Sequence, residues 1–399
     1  MKRFLCIFSA FMLLVGCVKN DPVTPDWQGP EAEIAFECPV VGPKMKSVAE
    51  VANYPADLNF RVWGYYSEGE TPTVDTQNQA MKITYIDGAE FACEGAVWGA
   101  TGAKNYYWPK NGYLHFLGYA PSGATVEAAA VTDRGLQLTG YTVPAAADED
   151  FLVSQVSYAQ TDPGAGVGAP IVFDHALSSI VFKVKSGIYG DRTTDDPDRI
   201  DTDLRVTKIE LVGLKNTGNF DQAMTTWTDN EQMTSPSAAQ NPEKGWSGQS
   251  GSVTYTGYSS AVAGTVGLVL TDTPQFIHDR TLAVGDTDHE LTNLILLPQV
   301  LSSNENAVLR VTYDMTHSNY ADINGETELW VTNQVAEIKL KDCGISEWLR
   351  GYRYTYNITV MLNKIYCTTD VDNWYDTVYY QEYDSSTENL TNETLNWQN

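Results

Sequence analysis

Hydrophobic and polar residues alternate along this chain with a period of two. The longest run starts at Tyr352: Tyr352, Tyr354, Tyr356, Ile358, Val360 and Leu362 share one face, and Arg353, Thr355, Asn357, Thr359 and Asn363 lie opposite. Successive strand side chains point to opposite faces, so a half-buried strand sorts these residues and a helix does not. Shorter stretches repeat the pattern at Leu58-Phe60-Val62, Leu114-Phe116, Ile180-Phe182-Val184, Leu309-Val311-Tyr313 and Ile338-Leu340. Sustained helical periodicity is hard to find anywhere. The 23 Tyr and 10 Trp suit strands, and 31 Gly with 17 Pro supply turns. The expected fold class is mainly β, as two β-sandwich domains.

Punctuation places the boundaries. Thr161 to Pro170 is rich in Gly and Pro, has no periodicity and separates two strand-rich halves. The expected division is residues 1–16, 17–46, 47–168 and 169–399, the last two being the sandwiches. Gly190 to Asp203 is crowded with Asp but lacks the spacing and turn glycine of a calcium loop, so it reads as a solvated acidic loop. Asp221 to Gly251 is polar and poorly patterned and reads as a long surface excursion.

The N-terminus carries an address. Lys2 and Arg3 precede an apolar run from Phe4 to Val15, which is shorter than the roughly 20 residues of a membrane span and fits a signal-peptide core. Leu14-Val15-Gly16-Cys17 matches the lipobox of bacterial lipoproteins, with cleavage expected between Gly16 and Cys17. Cys17 would then carry the diacylglycerol on its thiol and a further acyl chain on its amine. Two or more chains hold a protein on a membrane where one lets it go. Val18-Lys19-Asn20-Asp21 partly resembles the surface-export signal of Bacteroidetes lipoproteins, so the expected location is the outer face of the outer membrane.

Charge narrows the partners. The chain has 25 basic and 51 acidic residues, a net charge of −26, with no basic stripe to displace counterions from phosphates. Nucleic acid is therefore excluded as a partner. Six cysteines are present; Cys6 lies in the signal and Cys17 takes the lipid. Cys38, Cys93, Cys343 and Cys367 have no C-x-x-C spacing, so no metal site is expected and they read as buried small hydrophobes, with a Cys343–Cys367 bridge left open. None of the five histidines sits in a zinc motif, no serine occupies a nucleophile elbow, and phosphate loops are missing. No cofactor and no catalysis are expected. His175, in Phe173-Asp174-His175-Ala176-Leu177-Ser178, is the most tempting candidate, and a structural histidine near a strand start explains it equally well.

Several segments together resemble the fimbrillin family of Bacteroidales, the subunits of type V pili. Val172 to Val184 is similar to that family's F-x-H-A-L-S-x-I-x-F-x-V strand. Tyr107-Trp108-Pro109 with Leu114 to Pro121 resembles its Y-x-W-P region, and Asp150-Phe151-Leu152-Val153-Ser154 stands where it has D-L-L-x-A. Thr207 to Leu211, Gly218-Asn219-Phe220 and Leu297-Pro298-Gln299 continue the likeness in the same order, as does Trp348 to Ile358. The resemblance implies transthyretin-like sandwiches and a role in surface fimbriae serving adhesion. It also implies delivery as a lipoprotein, removal of the first strand by a trypsin-like protease, and filling of the groove by a neighbouring subunit's strand.

The residues permit that physics. In Ile34 to Val40 the set Ile34, Phe36, Cys38 and Val40 lies on one face, with Glu33 and Glu37 opposite. This is the expected exchanged strand. Lys44 and Lys46 are the only basic residues between Asn20 and Arg61, so a trypsin-like cut is expected after Lys44 or between Lys46 and Ser47. Lysine stands where the family more often has arginine. Asp376 to Tyr383 remains aromatic and β-prone, which makes it either a donor strand or an ordinary last strand. The expected partners are copies of this chain or other fimbrial subunits, and the outer membrane through Cys17; the sequence names no receptor. Other readings are a non-processed fimbrial anchor and a surface glycan-binding lipoprotein of a nutrient-uptake system. The glycan reading requires exposed aromatics aligned on one face. A hydrolase requires a pocket of converging titratable groups.

Overall fold

The computed structural model describes residues 33–36, 40–41, 52–53, 58–67, 83–94, 97–109, 112–132, 135–159, 168–169, 171–189, 200–222, 245–262, 264–277, 294–319 and 330–374. Strands are numbered along the chain. An eight-stranded sheet has the spatial order β2 (Ala52–Asn53), β1 (Val40–Val41), β10 (Val172–His175), β9 (Leu152–Ala159), β6 (Tyr113–Ala120), β3 (Phe60–Ser67), β4 (Ile83–Glu94), β5 (Val97–Ala100). A four-stranded sheet runs β14 (Trp246–Ser250), β13 (Thr217–Asp221), β8 (Gly135–Thr142), β7 (Ala128–Thr132). A third sheet runs β17 (Gln275–Phe276), β11 (Ser178–Ser186), β21 (Tyr352–Val360), β22 (Ile365–Asn373), with β18 (Leu294–Leu296) also paired to β11. The fourth runs β15 (Val253–Ser259), β12 (Ile200–Leu214), β19 (Val308–Asn319), β20 (Trp330–Lys339), with β16 (Leu268–Val269) on β12. The protein is mainly β, as the period-two patterning predicts.

The third and fourth sheets form a sandwich. Ile180, Phe182 and Val184 of β11 and Tyr354, Tyr356 and Ile358 of β21 share one core with Leu204 and Val206 of β12 and Leu309 and Val311 of β19. The facing sheets approach so closely at Gly257 of β15 that a Cβ there would stand 2.3 Å from the Phe182 ring. β21 is the most regular strand, strictly alternating buried and half-buried. It ends at Val360, and Leu362 is 46 % exposed, because the chain turns there and Met361 N donates to Lys364 O at 2.9 Å. The alternating face therefore stops one position short of the sequence reading.

β3, inside the eight-stranded sheet, is buried on both sides. Phe60 and Val62 of β3 point into one apolar cluster, while Trp63 and Tyr65 point into the other, against Leu138, Tyr141 and Trp246 of the four-stranded sheet. That small sheet joins β7 and β8 from before the Gly/Pro-rich stretch to β13 and β14 from after it. Trp246–Ser250 was not legible as a strand: one tryptophan in a polar stretch carries no period, and its pairing with Thr217, Asn219 and Phe220 is long-range. The acidic segment is also shorter than expected, since Ile200–Asp203 pair with Thr316–Asn319 and extend β12 beyond its apolar part.

Candidate functional site: the seat of the first strand

Residues 33–36 are bonded on both sides. Ile34 N donates to Tyr106 O at 2.7 Å, and Phe36 exchanges two backbone bonds with Trp98 at 2.9 and 2.8 Å, an antiparallel pairing. On the other side Ala169 N donates to Ala35 O at 2.8 Å, and Phe36 pairs with Ala169 in parallel sense. The parallel run continues as Val40 opposite Val172 and Val41 opposite Phe173. The segment thus lies between β5, one outer strand of the eight-stranded sheet, and the start of β10, and closes that sheet on itself. Closure removes two edges that would otherwise present unpaired N–H and C=O groups.

Its side chains complete the core. Ile34 and Phe36 are 1 % and 0 % exposed, Ala35 is half-buried and Glu33 is exposed. The Phe36 ring sits in a socket of Phe60 from β3, Phe91 from β4 and Phe116 from β6. The centroids are 5.7, 5.0 and 5.1 Å away, with interplanar angles of 73, 80 and 78°. These are edge-to-face contacts, each contributing about 0.5–1.5 kcal/mol beyond area burial. Phe60 in turn meets Phe173 of β10 at 5.5 Å, so the socket includes the strand that the segment pairs with. The Phe36 side chain has no polar atom, so shape and apolarity seat the ring.

Of the expected exchanged residues, Ile34 and Phe36 face inward together, and Val40 is placed by its backbone pairing with Val172. Cys38, and with it Gly16, Cys17, Lys44, Lys46 and Ser47, lie outside the described residues. Sequence reasoning missed the socket itself. Phe60 and Phe116 stood on strands that alternation had found, whereas Phe91 and the pairing of Ala35 to Ala169 carry no local signal. The end of the Gly/Pro-rich stretch is part of the seat, with Ala169 and Ile171 fully buried.

His175 proves to be a pin between sheets. Its Nδ1 lies 2.5 Å from Asp150 Oδ2, and its ring stacks on Trp374 with centroids 3.8 Å apart and 12° between planes. The other Asp150 oxygen accepts from Phe151 N at 2.7 Å. Just beyond, the chain passes from β10 into β11. Ala176 N donates to Phe151 O, Trp246 Nε1 donates to Ala176 O at 2.7 Å, and Gly351 N donates to Leu177 O. The segment Phe173 to Ser178 therefore joins three sheets, which gives that sequence a structural cause.

Elsewhere the chemistry is sparse. A shallow cavity of about 360 Å³ on the outer face of β11, β21 and β22 is lined by Lys183, Lys185, Asn357, Tyr366 and Asp370 among others, with no serine or histidine and one carboxylate. Among the described residues no three His, Cys, Asp or Glu groups cluster as a metal site, and no helix is long and apolar enough to cross a membrane. The exposed aromatics among them are Tyr107, in the connection before β6, and Tyr366, on β22, which form no stacking platform.

An all-β chain of sandwiched sheets, its first segment closing one sheet, defines the class of protein. The chain belongs to the fimbrillin-like family, whose model matches residues 53–374. The match begins after the first segment and ends at Trp374. Among solved structures, a fimbrial protein from Bacteroides vulgatus is 14 % identical, with a TM-score of 0.53 over 85 % of this chain and 99 % of that one, and shares the fold. Two proteins assigned to cell adhesion, from Bacteroides uniformis and Bacteroides ovatus, are each 14 % identical with TM-scores of 0.42. They align over 87 % and 86 % of this chain and 100 % and 99 % of theirs. No functionally curated protein matches the chain.

Proposed function

We propose that this chain is a structural subunit of a cell-surface fimbrium that polymerises by strand exchange and serves adhesion. In this reading residues 1–16 direct export, Cys17 carries the lipid to the outer membrane, and residues 17–46 are a pro-segment. A cut after Lys44, or between Lys46 and Ser47, frees the first strand. The mature subunit starts at residue 47 and holds two sandwiches of transthyretin-like type divided near residue 168, with β10, β13 and β14 from 169–399 completing the sheets of 47–168, and a neighbour's strand fills the vacated seat. Family membership supports a fimbrial role. The observation that carries strand exchange is the seat: one short segment, bonded on both sides, whose Phe36 plugs an aromatic socket.

Removing that segment leaves β3, β4, β5, β6, β9 and β10 paired among themselves and exposes an apolar groove flanked by open backbone. Both are unfavourable until another strand adds its hydrogen bonds and side chains. Any donor with two large apolar residues two positions apart, matching Ile34 and Phe36, fits the requirement. The N-terminus of surface-sheared material tests the proposal. A start at Met45 or Ser47 is expected. Finding only chains that begin at acylated Cys17 contradicts processing and favours a retained-strand anchor instead.

A further inference from the structure

Cys343 and Cys367 meet inside the second sandwich. Cys343 follows the 3-10 turn Leu340–Asp342 and is fully buried, while Cys367 stands on β22 opposite Ile358 and is 8 % exposed. Both are free thiols of one core cluster, and their side chains are in hydrogen-bonding contact. Cys343 Sγ lies 3.6 Å from Lys339 O, and Cys367 Sγ lies 3.8 Å from Thr368 O. Thr369 Oγ1 donates to Cys343 O at 2.9 Å, so the turn is already fastened to β22 beside the second cysteine.

Burial fixes when the bond can form. The Cys367 thiol is held well above its ordinary value, first by its hydrogen bond with Cys343 and then by burial. The thiolate is the species that attacks a disulfide, so oxidation of the closed core is slow. Oxidation belongs to folding, before β22 covers the pair.

We propose that Cys343 and Cys367 form a disulfide as the exported chain folds, stapling the last strand of the second sandwich to the turn after β20. One cysteine thiolate attacks the disulfide of an oxidised dithiol oxidant, forming a mixed disulfide and releasing one of the oxidant's sulfurs as thiolate. The second cysteine then attacks the mixed disulfide at the first cysteine's sulfur and releases the oxidant's other sulfur. The pair loses two protons and two electrons, and the oxidant becomes a dithiol. The inference rests on the export reading above, because a reducing cytoplasm keeps such thiols reduced. A staple there holds β22 in its own subunit and keeps it out of any exchange.

Refolding the full chain from denaturant in a glutathione redox buffer, then alkylating and mapping peptides without reduction, tests the bond. The same mapping on protein from the surface of exporting cells tests the compartment. A Cys343–Cys367 linked peptide is expected in both. The closed loop is about 25 residues, so reductant should lower the thermal midpoint of the oxidised chain by about 5–10 °C. Cys343→Ser and Cys367→Ser should each lose that response to reductant, and the double variant should be no less stable than either single one. Both thiols alkylated after oxidative refolding overturns the proposal. Alkylated thiols in chains that carry acylated Cys17 overturn it too, with export intact. Chains that begin at Met1 in cells overturn the export reading instead, and the refolding result then decides the bond.

Discussion

The seat of Phe36 and the strand β21 are built from the same alternating pattern and held in opposite ways. β21 lies between long partners, parallel to β11 over Ser179–Ser186 and antiparallel to β22 along its whole length. Two of its inward tyrosines have directional ties: Trp348 Nε1 donates to Tyr356 Oη at 2.9 Å, and Leu349 N donates to Tyr354 Oη at 2.6 Å. The first segment has a handful of backbone bonds and a phenylalanine that any apolar ring of similar size could replace. Directional bonds fix a particular side chain; a greasy socket fixes only a shape. The difference separates a strand that belongs permanently to its sheet from one that can be exchanged.

Alkaline pH should widen that contrast most. Burial pushes the Tyr255 hydroxyl up to about 12, and burial likewise raises Tyr354 and Tyr356. In an unfolded chain these groups ionise near pH 10. Their contribution to stability is whole below about pH 10 and is lost as pH rises through the folded values, because only the unfolded chain releases the protons. Cooperative unfolding is expected between about pH 10 and 12, with the buried Tyr255, Tyr354 and Tyr356 ionising only as the fold is lost. The phenylalanine socket adds nothing to this loss. Ionisation of Tyr354 or Tyr356 ahead of unfolding, read as the absorbance step lost in Tyr354→Phe or Tyr356→Phe, would break the contrast.

Phe36→Ala should lower the stability of the uncut chain by about 3–5 kcal/mol in urea titration, since it empties a socket lined by three rings. Phe36→Leu should lose less than about 2 kcal/mol, which marks the seat as tolerant of shape-preserving occupants. Tyr356→Phe keeps the ring but leaves the buried Trp348 N–H without its acceptor, so about 1–3 kcal/mol is expected. Equal tolerance at Phe36 and Tyr356 would erase the distinction between the two regions. The smallest effect belongs to Glu305→Gln. Its carboxyl is held at about 2 by hydrogen bonds to Lys339 and Lys341, yet it is fully exposed, so the urea midpoint should not move in moderate salt.

The sequence disclosed what is local. The strands around Phe60, Phe116, Phe182, Val311 and Tyr356 follow from alternation, and so does the inward face of Ile34 and Phe36. What remained hidden depends on partners distant in the chain. Nothing near Ala35 announces Ala169, and nothing near Trp246 announces Phe220. β3 looked half-buried because alternation reports one apolar face, whereas the covering of its other face by β7, β8, β13 and β14 is a property of the assembled fold. His175 looked like chemistry for the same reason: a histidine beside an aspartate has no meaning until Trp374 is seen stacked on it.

The central claim is that the first strand is a removable plug whose place a second subunit's strand can take. The direct test is to cut the purified full-length chain with trypsin at the Lys44–Ser47 connector and follow its mass by light scattering. Release of the fragment containing Ile34 and Phe36 together with the growth of oligomers is the expected result, faster for Phe36→Ala than for the wild-type chain. Cut chains that stay monomeric and keep the fragment, or lose it and unfold without associating, contradict the account.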